Sequence, residues 1–284
     1  GAAGQLALKC YEKMGCEVIP LFCEFDGRFP NHHPDPTVEK NLVDLKKAVT
    51  ENNADFGIAF DGDGDRIGAV TASGKMLYGD QLLLYLAKDL LKDVPGATII
   101  SEVKSSQVLY NELERLGAQA IVWKTGHSLI KSKLKETGAL LAGEMSGHIF
   151  FAHRYLGFDD AVYTGGRLIE ILQDENAQDL DSFLQELPKV INTPEMRIDC
   201  DDQKKFEVVE SFTAQAKAQF GDDVLDIDGA RVKFPNGWGL LRASNTQPVL
   251  VMRFGADSSE NLNLIKAQFA KILEKVAPDV KVPD

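Results

Sequence analysis

Cysteine is scarce, and Cys10, Cys16, Cys23 and Cys200 form neither a C-x-x-C pair nor a dense framework. That excludes a disulfide-stapled scaffold and leaves reduced thiols in a cytoplasmic protein as the simplest reading. A zinc site from the three early cysteines has no further spacing to support it. Basic residues are also in short supply, with 31 Lys and Arg against 43 Asp and Glu and a net charge of −12. Such a field repels polyanions, so general binding to nucleic acid or to an anionic membrane is excluded. No apolar run reaches the roughly 20 residues of a membrane-spanning helix, and no basic flank precedes an apolar core at the start. The chain lacks an initiator methionine. Gly1-Ala2-Ala3-Gly4 runs straight into a helical pattern (Leu6, Leu8, Tyr11, Met14) closed by Gly15. A helix needs another element over its apolar face, so the expectation is that something upstream is missing.

What is present is ordinary for a globular protein: 284 residues, 44% hydrophobic and 26% charged. That length predicts two or three domains. Cys16–Leu21 reads as a strand. Phe29-Pro-Asn-His-His-Pro-Asp-Pro36 is a Pro-rich connector, its paired histidines more simply a rigid surface loop than a metal site. Val38, Leu42, Leu45 and Val49 recur at helical spacing. After them come a strand entering an aspartate-rich loop and a helix with Asp80 as its expected N-cap. Strands at Ala97–Ile100, Ala120–Trp123 and Ala139–Ala142 alternate with helices at Ser106–Leu116 and Ser128–Glu136, the signature of an α/β domain with a largely parallel sheet. After Leu187-Pro188 the order changes to a helix (about 203–220), three strand-like runs and a final helix (about 259–276). The predicted fold class is therefore two α/β domains with mixed or parallel sheets followed by a C-terminal α+β domain, with boundaries at 1–76, 77–188 and 189–284.

Three loops carry chemistry. Asp61-Gly-Asp-Gly-Asp-Arg66 sets three carboxylates at alternate positions, a costly arrangement unless a cation sits between them. Hard oxygen donors suit Mg²⁺, which keeps coordination positions for water or substrate phosphate. An EF-hand would need glycine at position six and an acid at twelve; Arg66 and Ala72 stand there. A plain acidic hairpin turn is the simpler alternative. Arg242-Ala-Ser-Asn-Thr-Gln-Pro248 gathers an arginine, two hydroxyls and an amide able to donate to phosphate oxygens, with Arg253 nearby. Gly143-Glu-Met-Ser-Gly-His148 combines a carboxylate, a hydroxyl and an imidazole. The first two suit neighbouring sugar hydroxyls, and the histidine suits phosphate contact or proton transfer. Taken singly, each of these loops also has a bland reading, and Lys124-Thr-Gly-His127 reads more simply as solvated side chains.

In combination, and in this order, these loops resemble the α-D-phosphohexomutase superfamily, most closely its bacterial phosphomannomutase/phosphoglucomutase branch. Lys124-Thr-Gly-His127 and the connector at Phe29–Pro36 fit the same branch, and the resemblance covers essentially the whole chain. It implies an enzyme in which Asp61, Asp63 and Asp65 ligate Mg²⁺ and Arg66 positions the phosphosugar. Glu144 and Ser146 would hold sugar hydroxyls, and Arg242, Ser244, Asn245 and Thr246 the non-reacting phosphate, with Arg253 beside them. Lys124 and His127 would line the cleft, with Lys124 and His148 as candidate catalytic groups. The implied partners are mannose and glucose 1- and 6-phosphates and the hexose 1,6-bisphosphate.

The departure from the family pattern lies at the front. The family's first domain, with its Thr-Ala-Ser-His-Asn-Pro type loop and phosphoserine, has no counterpart in these residues, and the opening strand of the second domain is also expected to be missing. By that expectation the chain alone is inactive. The competing reading is a non-catalytic phosphosugar-binding fragment; a phosphatase with an aspartyl nucleophile ranks below it.

Overall fold

The computed structural model describes residues 1–283. Contacts divide it into two units. The first comprises Gly1–Ser105, Leu109–Val122 and Gly126–Leu187; the second comprises Ser106–Val108, Trp123–Thr125 and the chain from Pro188 onward.

The first unit opens with α1 (Gly4–Lys13). Its Ala7 and Tyr11 are buried against Phe56, Ile58, Phe60 and Ile169, so this helix does have a covered face. Tyr11 Oη donates to the Val162 carbonyl at 3.0 Å. A Cβ on Gly165 would come within 2.0 Å of that hydroxyl, so a side chain there would displace Tyr11. The strand expected at Cys16–Leu21 does not form, and these residues take no regular structure. A short apolar run does not make a strand when the backbone finds no partner. The pattern from Val38 to Val49 splits into a 3₁₀ turn at Glu39–Leu42 and α2 (Val43–Glu51).

Strands β1 (Phe56–Phe60), β2 (Ile67–Thr71) and β3 (Met76–Leu77) form an antiparallel sheet in that order. Helix α3 (Gly79–Asp93) is capped by Tyr78 and not, as expected, by Asp80. Gln81 reaches back to accept from the Tyr78 N–H at 3.0 Å, which moves the helix start two residues earlier. Then follow β4 (Thr98–Glu102), α4 (Gln107–Arg115), β5 (Gln119–Trp123), α5 (His127–Thr137), β6 (Leu141–Gly143) and β7 (Ile149–Phe151). The sheet order is β5-β4-β6-β7, with β4 and β6 parallel and β6 and β7 antiparallel. Two helices complete the unit, α6 (Ala161–Leu172) and α7 (Leu180–Glu186). Leu83, Leu86, Leu90, Ile99, Leu141, Phe151 and Leu168 share one buried core, each contributing about 1.5–3 kcal/mol by leaving water.

The second unit contains β8 (Ile191–Asn192), β9 (Met196–Asp199), α8 (Lys204–Phe220), β10 (Val224–Leu225), β11 (Ala230–Phe234), β12 (Gly237–Ala243), β13 (Val249–Ala256) and α9 (Ser259–Val276). Its sheet runs β10-β11-β12-β13-β8, with β9 also on β13, and every pair is antiparallel. Val232, Leu241, Met252 and Phe254 pack against Phe212 and Phe269 of the two helices. The register puts Arg231, Leu240 and Arg253 opposite one another, on the face turned away from that core. The architecture is α/β followed by α+β, as the sequence predicted. Among the described residues, no helix is long and apolar enough to cross a membrane.

Candidate functional site

Residues 61–66 close the hairpin between β1 and β2, where Asp61 N donates to the Arg66 carbonyl at 3.2 Å. The Asp61 carboxylate folds back over its own turn. Its Oδ1 accepts from the N–H groups of Gly64 (2.9 Å), Asp65 (3.1 Å) and Arg66 (3.2 Å), while Oδ2 accepts from Arg66 Nε at 2.8 Å. Burial alone would raise Asp61, but the Arg66 side chain and backbone outweigh it and hold the carboxyl below its usual range. Arg66 Nη1 also lies 3.5 Å from Asp35 Oδ1, which brings the end of the Pro-rich connector beside this loop.

Asp61 is buried, Asp63 exposed and Asp65 half-buried, and one carboxylate oxygen from each lies within 4.8 Å of the others. Crowding tells on Asp65, which burial and then its neighbour Asp61 push up to about 6. A hard dication among three oxygen donors removes that repulsion, so the residues fit Mg²⁺. Neither metal-competent cluster found among the described residues contains a cysteine, and neither includes His32 or His33.

The Gly143–His148 loop lies against this hairpin. Ile67 N donates to the Gly147 carbonyl at 3.0 Å, and Arg66 and His148 form an isolated bridge. Gly147 has φ +92°, and a Cβ there would come within 2.5 Å of the Ile67 carbonyl, so the close approach requires glycine. Glu144 is buried and its Oε1 accepts from Gly126 N at 2.7 Å. Burial, then the nearby Glu102, push its carboxyl up to about 7. Ser146 is half-buried on the same loop and His127 is exposed.

His148 Nδ1 stands 3.0 Å from Asp159 Oδ2 and 3.6 Å from Asp65 Oδ2, and its ring stacks on His127 with centroids 5.5 Å apart. Burial would lower the imidazole; Asp159, Glu144 and Asp65 outweigh it and raise it. Asp159 was not legible from sequence because nothing local ties it to His148, eleven residues earlier. Asp160 caps α6, accepting from Tyr163 N at 2.8 Å, while its neighbour faces the imidazoles. Glu102 and Lys104 were also missed. Lys104 Nζ lies 3.7 Å from Glu102 Oε1, and Glu102 also accepts from Met145 N at 3.3 Å. Their place at the end of a parallel strand was the available signal.

The second unit holds the other predicted residues. Arg242 is buried, its Nε donates to Asp228 Oδ2 at 3.0 Å, and its Nη2 has no hydrogen-bond partner. Asp228 Oδ2 also accepts from Thr125 N at 2.9 Å, next to the exposed Lys124. The Ser244 hydroxyl accepts from the N–H groups of Thr246 (3.4 Å) and Gln247 (3.2 Å), shaping a turn whose Asn245 and Thr246 are exposed. Lys205 Nζ holds the Gln247 carbonyl at 2.9 Å. A buried guanidinium with an open N–H beside such a turn is chemistry for an anion. Arg253 stands apart from the turn, donating to the Thr193 carbonyl at 3.4 Å and lying over the Trp238 ring.

Three family models match the chain. Residues 1–74 match "Phosphoglucomutase/phosphomannomutase, alpha/beta/alpha domain II", residues 78–191 its domain III, and residues 195–272 its C-terminal domain. A phosphomannomutase/phosphoglucomutase of Pseudomonas putida is 51% identical over 284 residues, which is all of this chain and 61% of that protein. A phosphoglucomutase of Neisseria gonorrhoeae is 47% identical over 276 residues, 96% of this chain and 59% of that protein. The crystal structure of a phosphoglucomutase/phosphomannomutase family protein from Burkholderia thailandensis superposes with a TM-score of 0.92 at 44% identity, covering 100% of this chain and 60% of that one. The chain thus spans about three fifths of the length of these relatives.

Proposed function

Because the chain belongs to the phosphoglucomutase/phosphomannomutase family, we propose that its residues form part of a phosphohexomutase. The reaction interconverts hexose 1-phosphate and hexose 6-phosphate, of mannose or glucose, through a hexose 1,6-bisphosphate. The family domains meet near residues 76 and 188. The phosphoserine that exchanges the phosphoryl group lies outside these residues.

In this reading Asp61, Asp63 and Asp65 hold Mg²⁺, which when bound supplies charge compensation for a phosphoryl group in transfer. Arg66 orients Asp61 and faces the substrate phosphate. Glu144 and Ser146 hold neighbouring sugar hydroxyls, and His148 moves a proton at its ring nitrogen. Lys124 and His127 line the substrate path. Arg242, Ser244, Asn245 and Thr246 hold the phosphate that is not reacting, and Arg253 adds positive charge on the same face of the sheet. A bisphosphate that reverses end for end requires grips that accept either end, and loops carried on separate parts of the chain suit that demand.

One observation carries the reading: the aspartate hairpin and the Gly143–His148 loop are joined backbone to backbone, by Ile67 N to Gly147 O and by the Arg66–His148 bridge. That coupling supports a metal group and a hydroxyl-binding group acting on one ligand. A ³¹P NMR experiment tests it, mixing the chain with hexose 1-phosphate, Mg²⁺ and the bisphosphate. Conversion to the 6-phosphate supports a complete mutase, and ligand shifts without conversion support a phosphosugar-binding portion of one. Absence of any shift contradicts both. Release of free phosphate would point to an aspartyl nucleophile, a role to which Asp61 is ill suited with four N–H donors on its carboxylate.

A further inference from the structure

A second group of ligand atoms lies beside the aspartate hairpin. One atom each from Asp65, His148 and Asp159 fall within 4.8 Å of one another. His148 Nδ1 is 3.0 Å from Asp159 Oδ2 and 3.6 Å from Asp65 Oδ2. Ligands about 2.1 Å from a tetrahedral ion are roughly 3.4 Å apart, so these two spacings suit a shared coordination shell. His127 Nδ1 lies 3.7 Å from the same Asp159 oxygen, its ring stacked on His148.

A separate observation points the same way. The Asp159 side chain is 6% exposed, and its Oδ2 and His148 Nδ1, both buried, have no close partner but each other, 3.0 Å apart. When the imidazole gives up its Nδ1 proton, two acceptors face each other, a costly arrangement without a cation between them. Lys131 Nζ sits 2.8 Å from the other oxygen, Oδ1, which fixes the carboxylate with Oδ2 turned toward the imidazoles.

We propose that Asp65, His148 and Asp159, with His127 as fourth ligand, form a second cation site that takes a transition-metal dication of the Zn²⁺ class. Imidazole nitrogen favours such ions over Mg²⁺, whereas the oxygen-only hairpin favours Mg²⁺. Asp65 belongs to both sets, so each ion weakens binding of the other by the same factor. A loaded site also occupies the His148 nitrogen; only the consequence that this blocks proton transfer rests on the mutase reading.

The test uses the metal-free chain and metal ions alone. Titration with Co²⁺ is followed by visible absorption, and titration with Zn²⁺ by NMR of the five histidine rings. The site predicts one ion whose binding shifts His127 and His148 and leaves His32, His33 and His153 in place. Asp159→Asn is expected to weaken that ion at least tenfold and Asp63→Asn to leave it within about twofold. Should Asp159→Asn fold poorly, His127→Gln replaces an exposed side chain and is expected to weaken the ion severalfold. Unmoved His148 signals, shifts confined to His32 and His33, or binding lost in Asp63→Asn but kept in Asp159→Asn would each overturn the proposal. Failure of the mutase reading shows elsewhere, as hexose phosphates that do not bind.

Discussion

Arg66 Nε donates to Asp61 Oδ2 at 2.8 Å, so the cation that follows the acidic run orients the first carboxylate of that run. The three aspartates are therefore not equivalent. Asp61 is buried and held by its own turn, Asp65 faces His148, and Asp63 is exposed.

Asp63→Asn should for that reason separate metal binding from folding. Mg²⁺ affinity is expected to fall about tenfold or more, while stability stays within about 0.5 kcal/mol of the parent. Isothermal titration and chemical denaturation of the same sample check both halves. Unchanged Mg²⁺ affinity would show that the hairpin is not the metal site.

Gly165→Ala probes the packing of α1 on α6. The new methyl would overlap the Tyr11 hydroxyl, whose oxygen lies 2.0 Å from the Cβ position. A loss of about 1–3 kcal/mol is expected. Adding Tyr11→Phe should return part of it, because the offending oxygen is gone. Denaturant midpoints of the two single variants and the double variant measure the coupling.

Glu144 sets a pH dependence whose sign is opposite to that of a salt-bridged acid. Its carboxyl rises from an ordinary 4.5 to about 7 in the folded chain. Between those values the folded state binds more protons than the unfolded state, so this group's contribution to stability falls as pH rises through the window and is constant above it. Glu144→Gln removes the ionisation. The parent should lose about 1–3 kcal/mol relative to the variant between pH 4.5 and 7. Urea midpoints of parent and variant across that range provide the check, and parallel curves would contradict it.

Asp228 accepts from both Arg242 Nε and Thr125 N. Asp228→Ala leaves a buried guanidinium without its acceptor, at a cost of about 1–3 kcal/mol in stability. Hexose phosphate affinity should fall while Mg²⁺ affinity holds, which titration of each ligand separately distinguishes.

Much of the fold could be read from the sequence because its signals are local. Strand and helix alternate from Thr98 to Gly143, and the spacing of Leu83, Leu86 and Leu90 shows the buried face of α3 without any knowledge of its neighbours. The acidic, carboxylate–hydroxyl and arginine loops were legible because each is contiguous. Cys16–Leu21 has the apolar character of a strand but no partner, and pairing is not a local property. The cap at Tyr78 depended on Gln81 reaching backwards. Asp159, Glu102 and Lys104 acquire their surroundings only when the chain folds, Asp159 by meeting a histidine eleven residues earlier in the sequence. Isolated in the sequence, each is one acid or base among many.

A bisphosphate that reverses end for end requires one phosphate grip that serves either end of the sugar. Titrating hexose 1-phosphate and hexose 6-phosphate separately into the parent and into Arg242→Gln, each in saturating Mg²⁺, tests it directly. Both ligands should weaken by a similar factor, about tenfold or more, as expected for loss of a charge-assisted contact, with Mg²⁺ binding unaltered. Loss of only one ligand, or of neither, would contradict the account.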